Sequence, residues 1–129
     1  MLVVGAGKVA LRKVKGLLEA GARVTVAAPR WEPEFETLPV GLVRRRFRAS
    51  DVAGAALVFA ATDDRRTNHR IGVLARSRGI FANIADSREE CDFIVPARFE
   101  RGEVQIAIST GGKSPRLAAE MRRKLEKSL

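Results

Sequence analysis

A chain of 129 residues with 46% hydrophobic content and no low-complexity run has the makings of one ordinary folded domain plus an appendage, which excludes a disordered chain. Its 24 basic against 15 acidic residues, a net charge of +9, point to an anionic partner such as a nucleotide, a polycarboxylate or nucleic acid. No apolar stretch approaches the roughly 20 residues of a membrane helix and no secretory pattern opens the chain, so no membrane partner and a cytoplasmic setting are expected. The single cysteine, Cys91, reads as a packing residue, and with His69 as the only histidine no metal site is expected. The densest basic clusters, Arg44-Arg45-Arg46 and Arg122-Arg123-Lys124, carry no interleaved aromatics, so nucleic acid is not the expected partner.

Leu2, Val3 and Val4 form an apolar run that stops at glycine, the pattern of a central parallel strand buried on both faces. From Lys8 to Ala20 the period lengthens, with Ala10, Val14, Leu17 and Leu18 on one stripe of a helix that Gly21 can end. Arg23 to Ala28 is β-rich and closes at Pro29, completing a βαβ unit. After a loop with Pro33 and Pro39, Leu42 to Phe47 reads as a strand whose arginines belong at a sheet edge. Ala55 to Ala61 is a further apolar strand. Thr62-Asp63-Asp64 can cap a helix that turns Ile71, Leu74 and Ala75 inward and ends near Gly79, and Ile80 to Ala85 makes a fifth strand. Beyond Asp86, Phe93-Ile94-Val95 and Val104 to Ile108 read as two strands joined through Arg101-Gly102, a hairpin that needs a surface to cover it. Ser114-Pro115 fits the cap and first position of a last amphipathic helix bearing Leu117, Met121 and Leu125. The expected architecture is α/β, a doubly wound parallel sheet over residues 1–86 followed by a small hairpin-and-helix region over 87–129.

Gly5, Gly7 and Ala10 make a G-x-G-x-x-A pattern between the first strand and helix, where a tight turn lets a pyrophosphate approach the backbone at a helix N-terminus. The same glycines would also serve a turn and nothing more. About 20 residues on, where an acidic residue normally holds the ribose hydroxyl, the chain has Ala27-Ala28-Pro29-Arg30. Arg30 could face a 2′-phosphate, so the motif alone leaves NAD and NADP open. Asp86 falls at the carboxyl edge of the sheet, either as a proton-transferring carboxylate or as a turn residue. Asp63 and Asp64 read more readily as caps, and His69 as a helix-surface residue. The STGGKSP run, residues 109–115, brings hydroxyls, flexible amides and a lysine to a helix start, which suits an anion or a plain glycine loop.

Taken in order, VVGAGKVALRK, AATDDRRTN, NIADSREECDFIVPA and RGEVQIAISTGGKSPRLA resemble the precorrin-2 dehydrogenase family, the NAD-dependent module of siroheme synthesis. Some members of that family also insert iron into sirohydrochlorin. The resemblance runs from about Leu2 to Glu126 and implies a Rossmann-like domain followed by a dimerisation region. It implies that Gly5, Ala6, Gly7, Lys8 and Val9 line the dinucleotide phosphates, that Pro29 and Arg30 lie at the adenosine end, and that Thr62 belongs to the cofactor site. It further implies that the STGGKSP loop faces the tetrapyrrole and that Asp86 matches the catalytic aspartate. NAD as cofactor, oxidation of precorrin-2 to sirohydrochlorin, and a homodimer joined through Phe93 to Val95 and Val104 to Ile108 complete the expectation. The family usually has a short segment before the first strand and often a helical domain beyond the last helix. The alternative reading is therefore a tetrapyrrole- or dinucleotide-binding module without the parts for catalysis.

Overall fold

The computed structural model describes residues 1–129. The apolar runs become five short strands, β1 (Leu2–Val4), β2 (Thr25–Ala27), β3 (Gly41–Val43), β4 (Leu57–Ala60) and β5 (Phe81–Ile84). All pair in parallel, in the order β3-β2-β1-β4-β5. Side chains alternate across the sheet, and both faces are apolar because both are covered. Val3, Val26 and Phe59 pack with Ala10 and Val14 of α1 (Lys8–Glu19). Leu2, Val4, Val58 and Ala60 pack with Ile71 and Ala75 of α2 (Arg65–Ser77). Two crossovers use a single 3₁₀ turn instead of a helix. Pro33–Thr37 buries Phe35 between β2 and β3, and Ala49–Val52 buries Val52 between β3 and β4.

The third strand lies at the sheet edge, as expected, but ends at Val43 rather than Phe47, before the arginines. Arg45 is turned away by a two-pronged pair with Asp51, at 2.8 and 2.6 Å, and Asp51 also accepts from the Arg48 amide at 2.8 Å. The opposite edge, β5, is closed by the chain that follows it. The Ala82 amide donates to Asp92 Oδ2 at 2.8 Å, and the Asp92 amide donates back to the Ala82 carbonyl at 2.9 Å. The Ile84 amide donates to Cys91 Sγ at 3.1 Å, and Asn83 donates to the Phe93 carbonyl at 3.0 Å. The Phe93 ring meets Phe59 edge-on at 5.6 Å. Phe93 is thus a core residue of the sheet, not the start of a hairpin.

For this reason the contacts divide the chain into Met1–Phe93 and Ile94–Leu129, and residues 87–93 stay with the sheet. In the second unit the strand expected over Phe93-Ile94-Val95 does not form. Its place is taken by β6 (Ala97–Arg101), which starts after Pro96 and pairs antiparallel with β7 (Val104–Ile108). Gly102 makes the connecting turn at φ +61°. Ser114 caps α3 (Pro115–Ser128), its hydroxyl accepting from the Leu117 amide at 3.1 Å, with proline at the first position as the sequence implied. Phe99 and Ala118 are buried, whereas Val104, Leu117 and Met121 are exposed. No helix is long and apolar enough to cross a membrane.

Candidate active site

Strand order reverses between β1 and β4, and in open parallel sheets this is where a crevice opens at the carboxyl ends of the strands. Gly5 sits at that point. Its φ is +106°, and a Cβ there would lie 2.2 Å from the carbonyl oxygen of Ala61, so only glycine lets the turn pass beside β4. The Gly5 amide is held by the Ala27 carbonyl at 3.0 Å. Gly7 is the N-cap of α1, with no side-chain cap and no acidic residue in the first turn, and a Cβ built on it meets nothing within 4 Å. The first amides of α1 therefore open onto free space with the positive end of the helix dipole behind them, a geometry that fits a pyrophosphate. Lys8 and Val9 are exposed beside it and Ala10 is fully buried, which allows α1 to pack closely on the sheet.

Ala6 is buried and acts through its backbone, its carbonyl accepting from the Glu32 amide at 2.9 Å. That bond ties the glycine turn to the segment after β2, where Pro29 and Arg30 stand exposed. Beside them the Arg44 guanidinium lies over the Trp31 ring at 4.3 Å. Thr62, after β4, is engaged within its own turn. Its hydroxyl donates to Asn68 Oδ1 at 2.6 Å, while the Asn68 amide group donates to the Thr62 carbonyl at 3.0 Å. Asn68 is fully buried, so Thr62 fixes the path of the β4–α2 turn. Asp64 is the cap of α2, accepting from the Arg66 amide at 3.2 Å. A hydrogen bond from Thr67 holds its carboxyl below the usual carboxylate range.

Asp86 follows β5 by two residues, on the carboxyl edge of the same sheet. Its Oδ1 accepts from Arg65 Nη1 at 2.6 Å, and the other fork of Arg65 meets Glu90, which in turn meets His69 Nδ1. Hydrogen bonds from His69 and Ser87, with the charge of Arg65, hold Glu90 below its ordinary value. Composition and spacing missed Arg65, His69 and Glu90, because ion pairs spanning 21 and 25 residues leave no period to read. Lys13 was missed as well. It is drawn under the sheet to donate to Asn83 Oδ1 at 3.1 Å, and burial pushes its amine below the ordinary lysine value. In the second unit the STGGKSP loop satisfies its own hydroxyls. Ser109 accepts from the Gly111 amide at 3.0 Å and Thr110 from the Ser114 amide at 2.9 Å.

The family described as "Putative NAD(P)-binding" matches residues 1–97, and the sirohaem biosynthesis protein central family matches residues 101–128. A siroheme synthase of Methylococcus capsulatus is 46% identical over 129 residues, covering 97% of this chain and 27% of that protein. A siroheme synthase of Ectopseudomonas mendocina is 43% identical, covering 98% of this chain and 28% of that protein. The chain thus spans about a quarter of the length of the curated relatives it matches. Among solved structures, SirC, a precorrin-2 dehydrogenase, superposes with a TM-score of 0.84 at 30% identity, over 99% of this chain and 65% of that one. Because the match over residues 1–97 spans both the glycine turn and the Asp86 turn, the chain belongs to the NAD(P)-binding family, and its cofactor class is a nicotinamide dinucleotide.

Proposed function

We propose that this chain oxidises precorrin-2 to sirohydrochlorin with NAD, through a mechanism in which Asp86 is the base. The observation that carries the reading is the placement of two features on one sheet edge: an anion-ready turn at Gly5 to Val9 and an ionisable carboxylate at Asp86. The similarity to SirC and to siroheme synthases supports the substrate class, and the +9 charge suits a polycarboxylate macrocycle. The chemistry that a bound nicotinamide would supply is that of a hydride acceptor for the reduced macrocycle. This chain's residues supply the rest. The amides at the start of α1 hold the pyrophosphate, Ala6 and Glu32 keep that turn in register with Pro29 and Arg30, and Thr62 shapes the facing loop. Arg65 holds Oδ1 of Asp86, and Oδ2 takes the proton that leaves the macrocycle.

NAD rather than NADP is part of this proposal. Glu32 is the first carboxylate after β2, and its amide is tied to Ala6, which keeps an acidic residue beside the turn. If Arg30 instead served a 2′-phosphate, NADP would bind at least about tenfold tighter than NAD, and Arg30→Ala would erase the difference. Titration of both dinucleotides checks this. A homodimer and a cytoplasmic setting belong to the same reading. Support for the dimer comes from the apolar groups Ile94, Val95 and Val104, which are 39%, 53% and 58% exposed. Anaerobic mixing with precorrin-2 and NAD, followed by NADH absorbance, tests the whole. Turnover is expected, and tetrapyrrole binding without NADH would leave a binding module in its place.

A further inference from the structure

Arg65 occupies the first helical position of α2, followed by Arg66, and no acidic residue stands in that first turn. A cation there opposes the helix dipole, so the local sequence gives no reason for it. The reason lies across the fold. The Arg65 fork spans two carboxylates, Asp86 and Glu90, and Glu90 is met from its other side by His69. Arg65, His69 and Arg76 lie on one stripe of α2, and Arg76 completes the clamp by donating to the Glu90 carbonyl at 2.5 Å and to Asp92 at 3.2 Å. The turn carrying Asp86 is therefore held to α2 at three levels along one helix face. An isolated exposed ion pair is worth little, but a fork fixed at both prongs orders the carboxylate it holds.

We infer that Arg65 is a positioning residue for Asp86, anchored by Glu90 and His69 so that one carboxylate oxygen is fixed and the other is aimed to accept the proton. This rests on the reading of Asp86 as the base. Removing the fork lets the carboxylate rotate among its rotamers, and the reaction loses its aligned acceptor while the dinucleotide turn, built from Gly5 to Val9, is untouched.

The test is a double-mutant cycle on the full chain, with precorrin-2 oxidation measured anaerobically and dinucleotide affinity by calorimetry. Arg65→Ala is expected to lower kcat about tenfold, the low end of what one charge-assisted hydrogen bond carries, and to leave NAD affinity unchanged. Arg65→Lys, a point charge that cannot span both carboxylates, restores part of the rate. Glu90→Gln, which removes the second anchor, lowers kcat less than Arg65→Ala does. In an Asp86→Asn background Arg65→Ala costs nothing further, because its effect runs through the missing carboxylate. Equal losses in both backgrounds, or a wild-type kcat in Arg65→Ala with Asp86→Asn still impaired, would overturn the inference alone. Wild-type turnover by Asp86→Asn would overturn the base assignment and the inference with it.

Discussion

The two units of this chain bury their apolar residues to very different extents. In Met1–Phe93 a twisted sheet is covered on both faces, and every buried hydrophobic residue of the chain except Phe99 and Ala118 lies there. In Ile94–Leu129 a hairpin and one helix leave Ile94, Val95, Val104, Leu117 and Met121 in solvent. A three-layered sheet can satisfy itself. Two strands and a helix leave part of their apolar surface open. The lesson is that changes in the first unit should read out as local chemistry or local stability, whereas changes on the second should read out as association.

The largest effect that would sharpen this contrast is at Asp86. Asp86→Asn should lower precorrin-2 oxidation by roughly 10² to 10⁴ while NAD affinity and oligomeric state stay as they are, since asparagine keeps the turn but cannot take the proton. Kinetics at saturating NAD check it, and near-wild-type turnover would remove Asp86 from the mechanism. Next comes Gly5→Ala. Steric overlap with Ala61 adds to a positive φ, and the expected loss is about 3 kcal/mol of unfolding free energy together with dinucleotide binding, read by denaturant melts and calorimetry.

On the second unit, Val104→Lys combined with Met121→Lys should cost a monomer within about 0.5 kcal/mol, but a dimer about 1.5 to 3 kcal/mol for each side chain buried between copies. Light scattering at micromolar concentration decides, and a monomeric parent protein would break the comparison by showing that the apolar face needs no partner. The smallest effect concerns acid stability. Arg45 holds the Asp51 carboxyl below its ordinary value, so the pair's contribution is present above the unfolded value of about 3.9 and is lost as pH falls through the folded one. Asp51→Asn should therefore cost about 1 kcal/mol at neutral pH and flatten the acid limb of the stability curve. Melts across that range would show a parallel offset instead if the pair contributed nothing.

What a short window of sequence encodes is legible in it. The β1 run, the Gly5 turn, the stripe of α1 and the Ser114-Pro115 cap all rest on neighbours in sequence, and all are found. The failures have a common cause in distant partners. Phe93-Ile94-Val95 has the composition of a strand, yet Phe93 is taken by Phe59, and strand pairing begins only after Pro96, at Ala97. The true strand, Ala97–Arg101, reads as polar because only Phe99 turns inward. Leu42 to Phe47 looked like a longer edge because nothing in the window announced that Asp51 would capture Arg45. The site divides in the same way. Its backbone half follows from glycine spacing, whereas the Arg65–Asp86–Glu90 half depends on a loop returning to a helix.

That returning loop has a second consequence. Asp92 and Cys91 occupy the outward-facing amide and carbonyl groups of Ala82 and Ile84, so β5 offers no template on which a strand from another molecule could grow. The opposite border is only three residues long, Gly41–Val43, and the chain beyond it is turned away by the Arg45–Asp51 pair. Protection against fibril-like stacking and placement of the Asp86 carboxylate are thus carried by one stretch of seven residues, 86–92. A lesion that frees this stretch would expose an adhesive border in the same event that displaces Asp86, and molecules so altered would be the ones that precipitate.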